Sequence, residues 1–378
     1  MATSSTKVLK VTCAHTLYVG LGFAVLFPAN SSAETFQQSL TLPLSIEYET
    51  NPRLLTNNEK SVRRTILKPD YSLMLTQGND QFSADFSLNI ERSSNQSASE
   101  EREDPNLVLA WTRSYERGEF GITANFSEQS TRISEFDDTG LVSADNTRQT
   151  RSIGGHWNTA LSERYNFALN ADVTKVEFDS QTGSLNDYDN KSINARLGYS
   201  VNEQIESYAQ ISLSRFEPAT SSKTNFRSLD LGAAWAISEQ FNIDGNIGIN
   251  KTSGSSSESG WQAMLNAEYM TARTRTNIGL SRSRSPSGAG IINESNQLSA
   301  GWTYNLSEKE NLGLDFNYRE NLTSNQSDTV LLSANYTRAL AQDWDFKLSA
   351  AHRNRDDENS NVSSNILTAT IIYKLPDF

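Results

Sequence analysis

The sequence predicts an all-β fold: a closed antiparallel transmembrane β-barrel of about eighteen strands, with about sixteen as the lower bound. Three observations predict it. A polar turn recurs between alternating runs, apolar and polar residues alternate at period two, and aromatic residues gather beside the turns.

The recurring turn is Leu161-Ser162-Glu163-Arg164-Tyr165-Asn166-Phe167. It returns as Ile237-Ser238-Glu239-Gln240-Phe241, Leu306-Ser307-Glu308-Lys309-Glu310 and Leu340-Ala341-Gln342-Asp343-Trp344, with a weaker copy at Val201-Asn202-Glu203-Gln204-Ile205. Unrelated turns at Gln77-Gly78-Asn79-Asp80, at Glu116-Arg117-Gly118-Glu119 and near Thr271 complete a set of eight. Their spacing, roughly 33 to 46 residues, fits a strand, a long loop, a second strand and a short turn.

Residues 1–33 contain Lys7 and Lys10, an apolar run from Leu17 to Phe27, and the small residues Ser31-Ser32-Ala33. That pattern is a secretory signal peptide, and the apolar run is too short for the ~20 residues of a spanning helix. Residues 34–378 are then the barrel. Cys13 is the only cysteine and lies in the leader, so the exported chain has no thiol for a disulfide or a metal site. The mean hydropathy of −0.55 is that of a soluble chain. A barrel resolves this, because only alternate strand residues face lipid.

Strand parity is plain in several places. Leu40, Leu42, Leu44, Ile46 and Tyr48 oppose Thr41, Pro43, Ser45 and Glu47; Phe82, Ala84, Phe86, Leu88 and Ile90 oppose Ser83, Asp85, Ser87 and Asn89. The runs Leu67, Tyr71, Leu73, Leu75 and Thr276, Ile278, Leu280 are weaker. The first strand is expected to pair with the last, Leu367 to Leu375, because an open edge in lipid leaves unpaired backbone groups. Trp111, Trp157, Tyr165, Trp235, Phe241, Tyr269, Trp302 and Trp344 lie close to short turns, as an interfacial aromatic belt would. Long polar loops are expected at the other end, among them Ser93 to Asn106, Ser127 to Thr150, Lys251 to Gly260 and Arg353 to Asn365.

The terminal Phe378, following an amphipathic strand, resembles the assembly signal of bacterial outer-membrane proteins. With the leader and the hairpin repeat, it makes the chain similar to porin-like outer-membrane barrels. The segment Leu44-Ser45-Ile46-Glu47-Tyr48-Glu49-Thr50-Asn51-Pro52-Arg53-Leu54 resembles the start of barrels found with exopolysaccharide and exosortase loci. These resemblances imply a Gram-negative outer-membrane location. They also imply outer-membrane lipid, lipopolysaccharide and the barrel-assembly machinery as partners, and polysaccharide-export components for the second family.

No catalytic constellation emerges. His156 and His352 are the only histidines after the leader; parity turns His156 to the lumen near a turn and puts His352 at the far end of its strand, so they share no metal or triad. Carboxylates near His352 (Asp356-Asp357, and Asp137-Asp138 in another loop) faintly resemble omptin proteases, but those are ten-stranded. No cofactor is expected. A net charge of −12, or −14 once Lys7 and Lys10 are removed, excludes a basic nucleic-acid face.

Parity places the acids Glu47, Asp70, Asp85, Glu91, Asp172, Glu206, Asp230, Asp244, Glu268, Asp315 and Asp345 inside, with Lys68, Arg196, Arg275, Arg319, Lys347 and Lys374. Eleven acids against six bases predict a cation-preferring, water-filled lumen. The function expected is a channel for a hydrophilic solute or an exported glycan; the alternative is a surface or adhesion barrel that displays its loops.

Overall fold

The computed structural model describes residues 34–139, 145–179, 185–254, 257–323, 327–357 and 360–375. The segment expected to be a signal peptide, residues 1–33, and Phe378 lie outside the described residues. Every strand pairs antiparallel with its neighbours, and the first, β1 (Glu34–Glu49), pairs with the last, β19 (Ser360–Leu375), from Leu40↔Leu375 to Glu49↔Ile366. The sheet is therefore closed. Both β2 (Val62–Leu67) and β3 (Asp70–Gln77) pair with β1 and with β4 (Asp80–Ser93). They are one wall strand broken at Lys68-Pro69, so nineteen segments make an eighteen-stranded barrel. Pro69 has no backbone N–H to give to the ladder, which explains the weak periodicity of this strand.

The short turns have a local cause. Ser162 Oγ accepts from the backbone N–H groups of Arg164 (3.3 Å) and Tyr165 (3.2 Å), and Ser238 Oγ does the same for Gln240 and Phe241. Asn202 Oδ1 and Thr271 Oγ1 act alike in their turns. A short oxygen side chain that satisfies the backbone donors of the reversal is what four of the five copies share, Ala341 being the exception.

One face of the wall is apolar and open. Leu231, Ile247 and Ile249 are 63%, 64% and 68% exposed, and similar residues continue around the barrel. So much bare aliphatic surface is incompatible with water and suits hydrocarbon. Near the short turns the same face carries the aromatics, among them Trp157 against Phe167 (5.6 Å between ring centroids), Tyr165 against Tyr199 (5.1 Å) and Trp344 against Tyr373 (4.8 Å). Trp111, Trp235, Phe241, Tyr269 and Trp302 lie on this face in register.

The loop end departs from expectation. Many strands run further than their apolar alternation: β12 (Phe241–Ser253) and β13 (Glu258–Met270) shorten the expected loop Lys251 to Gly260, while β18 (Trp344–Asp357) and β19 nearly abolish Arg353 to Asn365. Past the hydrocarbon both strand faces are polar, so the ladder continues without a hydrophobic signal.

Between β6 (Gly118–Ser130) and β7 (Thr147–Ala160) the expected loop Ser127 to Thr150 contains a helix, α1 (Thr131–Thr139). It does not stay beside its own strands. Arg132 Nη1 donates to Glu49 Oε2 on β1 (3.2 Å), and Phe136 packs with Leu54, Val362 of β19 and Leu331 of β17 (Ser327–Ala341). Those partners line the opposite wall, so α1 crosses the lumen.

Candidate functional site

The lumen has two differently built zones. At the loop end, Glu49 is wholly buried and receives Arg353 Nη2 (2.9 Å), Arg132 Nη1 and Ser364 Oγ (3.2 Å), besides Arg64. Arg64, 1% exposed, also donates Nε to Glu47 (3.0 Å) and Nη1 to Ser99 (3.3 Å), and Ser99 donates to Glu91 (2.8 Å). On β5 (Arg102–Tyr115), Arg102 bridges Asp104 (2.9 Å) and Asp145 (3.5 Å), which in turn accepts from Ser130. Each guanidinium thus faces carboxylate in a dry setting, where losing one partner costs about 3–5 kcal/mol. Burial, with Arg64 close by, pulls the Arg132 guanidinium below its ordinary value, and Glu49, Glu91 and Asp145 oppose that pull.

A second crossing meets the first. Asn186 N–H donates to Gly288 O (2.7 Å), Ser221 Oγ donates to Gly290 O (3.0 Å), and Ile292 of β15 (Ile292–Ser307) packs on the Val176, Phe178, Tyr188 and Phe216 cluster of β8–β10 (Tyr165–Asp179, Tyr188–Ser200, Ile205–Pro218). A Cβ on Gly288 would stand 2.8 Å from Phe178 and 3.2 Å from Glu135 of α1. A side chain there would have to displace the Phe178 ring where the crossings touch.

Toward the short turns the wall stays open. From mid-wall to the turns the inward carboxylates are held by neutral donors: Asp85 by Ser72, Asp172 by Ser192, Asp230 by Gln262 Nε2 (2.7 Å) and Ser228 (3.0 Å), Asp244 by Tyr208 OH (3.4 Å), and Asp315 by Ser333 (3.5 Å). Only some acids here pair with bases. Arg196 Nη2 bonds Glu206 (2.9 Å) and stacks on Tyr208 (3.5 Å), Arg275 Nε bonds Glu268 (2.8 Å), and Lys374 bonds Asp345 (2.5 Å). Tyr208 fits because β11 (Thr224–Ser238) passes it with Gly232, whose Cβ would lie 2.3 Å from the ring. Glu206, Asp244, Glu268 and Arg275 share a cavity of about 630 Å3 on this wall.

Register turns Glu47, Asp85, Asp172, Arg196, Asp230, Asp244, Glu268, Arg275, Asp315 and Lys347 inward. The structure separates them: Glu47 belongs to the buried loop-end network, and Asp230, 1% exposed, is enclosed by the wall. Sequence reading missed Glu49, Arg64, Arg102, Arg132 and Arg353. Glu49 and Arg353 continue the inward parities of Glu47 and of Lys347, Ser349 and Ala351, so both were findable; Arg132, on a helix in a polar connection, had no periodic signal.

His156 points inward, whereas His352 faces outward and bonds Asn365 (2.8 Å). Asp357 pairs with Arg355 (3.3 Å) and Ser360, and the side chains of Asp137 and Asp138 lie outside the described residues. Among the described residues no group of three His, Cys, Asp or Glu side chains is arranged to hold a metal ion.

Solved structures share this architecture. The outer membrane protein opdK of Pseudomonas aeruginosa matches with a TM-score of 0.51, covering 91% of this chain and 99% of its own at 10% identity. OccAB4 of Acinetobacter baumannii gives 0.51, covering 92% and 100% at 11% identity. The fold is that of an outer-membrane porin. No protein-family model matches the chain, and no curated protein sequence matches it.

Proposed function

We propose that the protein is an outer-membrane channel for small hydrophilic solutes, with short turns toward the periplasm, loops outward and a preference for cations. One observation carries this reading: the inward carboxylates Asp85, Asp172, Asp244 and Asp315, from mid-wall to the turns, are held by hydroxyls and not by cations. A low-dielectric wall focuses such a field on the aqueous path. The loop-end network, by contrast, neutralises itself and narrows the mouth. Export of a glycan polymer would require α1 to leave the lumen, so the small-solute reading is favoured.

The test is a planar bilayer with a salt gradient. A cation-selective reversal potential, steeper at low salt where screening is weaker, is expected. Anion selectivity would overturn the reading; absence of conductance in both the wild type and a variant with α1 released would transfer it to the loop-display alternative. Orientation is tested separately. Ser257→Cys should react with an impermeant thiol reagent on intact cells and Ser307→Cys should not.

A further inference from the structure

The lipid-facing surface has a charge pattern that the channel does not use. At the loop end of β7–β10, β11 and β12, six outward cations stand in cross-strand register: Arg151↔Lys175, Lys191↔Arg215 and Arg227↔Lys251. All six are exposed. Like charges directly opposite each other are destabilising. Glu177 relieves Lys175 (2.7 Å) and Arg151 (3.4 Å), and Glu217 relieves Arg215 (2.6 Å) and Lys223 (3.1 Å). Among the described residues, no carboxylate lies within ion-pair distance of Lys191, Arg227 or Lys251. Across the barrel the pattern reverses, with Glu320↔Asp328 and Asp328↔Asp356 facing outward at the same end. The positive sector is therefore local, not a general property of the rim.

Two residues closer to the turns, each of these strands exposes an aliphatic side chain: Ile153, Val173, Ile193, Leu213, Leu229 and Ile249. Charge and hydrocarbon meet along one line. Beneath the cations a shallow groove of about 770 Å3 runs over Gly155 and Ala171, with Lys191, Arg215 and Arg227 at its edge. We propose that this sector binds a phosphorylated glycolipid of the outer leaflet, the lipid A portion of lipopolysaccharide, with phosphates on Lys191, Arg227 and Lys251 and acyl chains along the groove. A phosphate accepts from two cations at once, which suits facing pairs. From β9 to β12 the row spans three strand spacings, about 14 Å, room for the two phosphates of a disaccharide headgroup.

The inference rests on the loops-outward orientation, and its test keeps the two apart. The detergent-purified full chain is titrated with bisphosphorylated hexa-acyl lipid A, with phosphatidylethanolamine and with inorganic phosphate, and complexes are followed by native mass spectrometry. The triple variant Lys191→Gln, Arg227→Gln, Lys251→Gln should bind lipid A at least about tenfold more weakly, while conductance and heat-modifiable gel migration stay at wild-type values. The charge-preserving triple Lys191→Arg, Arg227→Lys, Lys251→Arg should retain binding. Equal lipid A affinity in wild type and the Gln triple, equal affinity of wild type for phosphatidylethanolamine, or displacement of lipid A by millimolar phosphate would each overturn the site. Labelling of Ser257→Cys only from the periplasm would overturn its occupant.

Discussion

The two ends of the lumen are lined by similar residue types and differ in how charge is held. At the loop end, arginines from α1, β2, β5 and β18 converge on carboxylates in a dry cluster, and the result is a fixed obstruction. From mid-wall to the turns, carboxylates meet serine and tyrosine, and the result is a negative wall without ion pairs at those acids. The difference teaches that a count of lumenal acids and bases does not give a channel's field. Eleven acids against six bases was an incomplete sum, because it omitted Arg64, Arg102, Arg132 and Arg353 together with Glu49, Asp104 and Asp145, and ignored pairing.

The sharpest way to break this contrast is Glu49→Gln. It removes the carboxylate that Arg353 bonds and one of the carboxylates around Arg64 and Arg132, which keep Glu47, Glu91 and Asp145, a loss of about 3–5 kcal/mol at the docking site. Single-channel recordings should show a several-fold larger conductance with the barrel still heat-modifiable; an unchanged conductance would mean that α1 does not depend on this anchor. Next in size is the joint change of Asp172, Asp244 and Asp315 to Asn. The cation-to-anion permeability ratio should fall toward unity while conductance at high salt hardly moves, and a ratio that stays put would remove these carboxylates from the path.

Smaller effects sharpen the picture of the wall. Gly232→Ala pushes a methyl into the Tyr208 ring and should cost about 1–3 kcal/mol, read as a lower urea midpoint for loss of the fast-migrating folded band. Stability equal to wild type would show that the ring has room to move. Ser238→Ala removes the acceptor for Gln240 and Phe241 at an exposed turn, and about 0.5–1.5 kcal/mol is expected in the same assay. A larger loss would mean that this turn supports more than its own reversal.

Legibility in the sequence followed the range of the forces involved. Turns were readable because Ser162, Ser238, Ser307 and Asn202 act on donors two or three residues away. Strands were readable wherever lipid imposed alternation, as in Phe82 to Ile90, and failed where it did not, as between Lys251 and Gly260. The loop-end network was unreadable for a different reason. Glu49, Arg132 and Arg353 meet only through the curvature of the whole wall, and α1 has little apolar content beyond Ile133 and Phe136 to announce a helix.

The seam between β1 and β19 ties the obstruction to barrel completion. Glu49 lies on one side of that seam, while Arg353 and Ser364 come from the last two strands. The pairs of Arg132 with Glu49, Glu91 and Asp145 do not cross that seam, but the complete anchor, with Arg353, Ser364 and the Val362 contact of Phe136, needs it closed. In this sense the plug acts as a latch that only a finished barrel can fully engage.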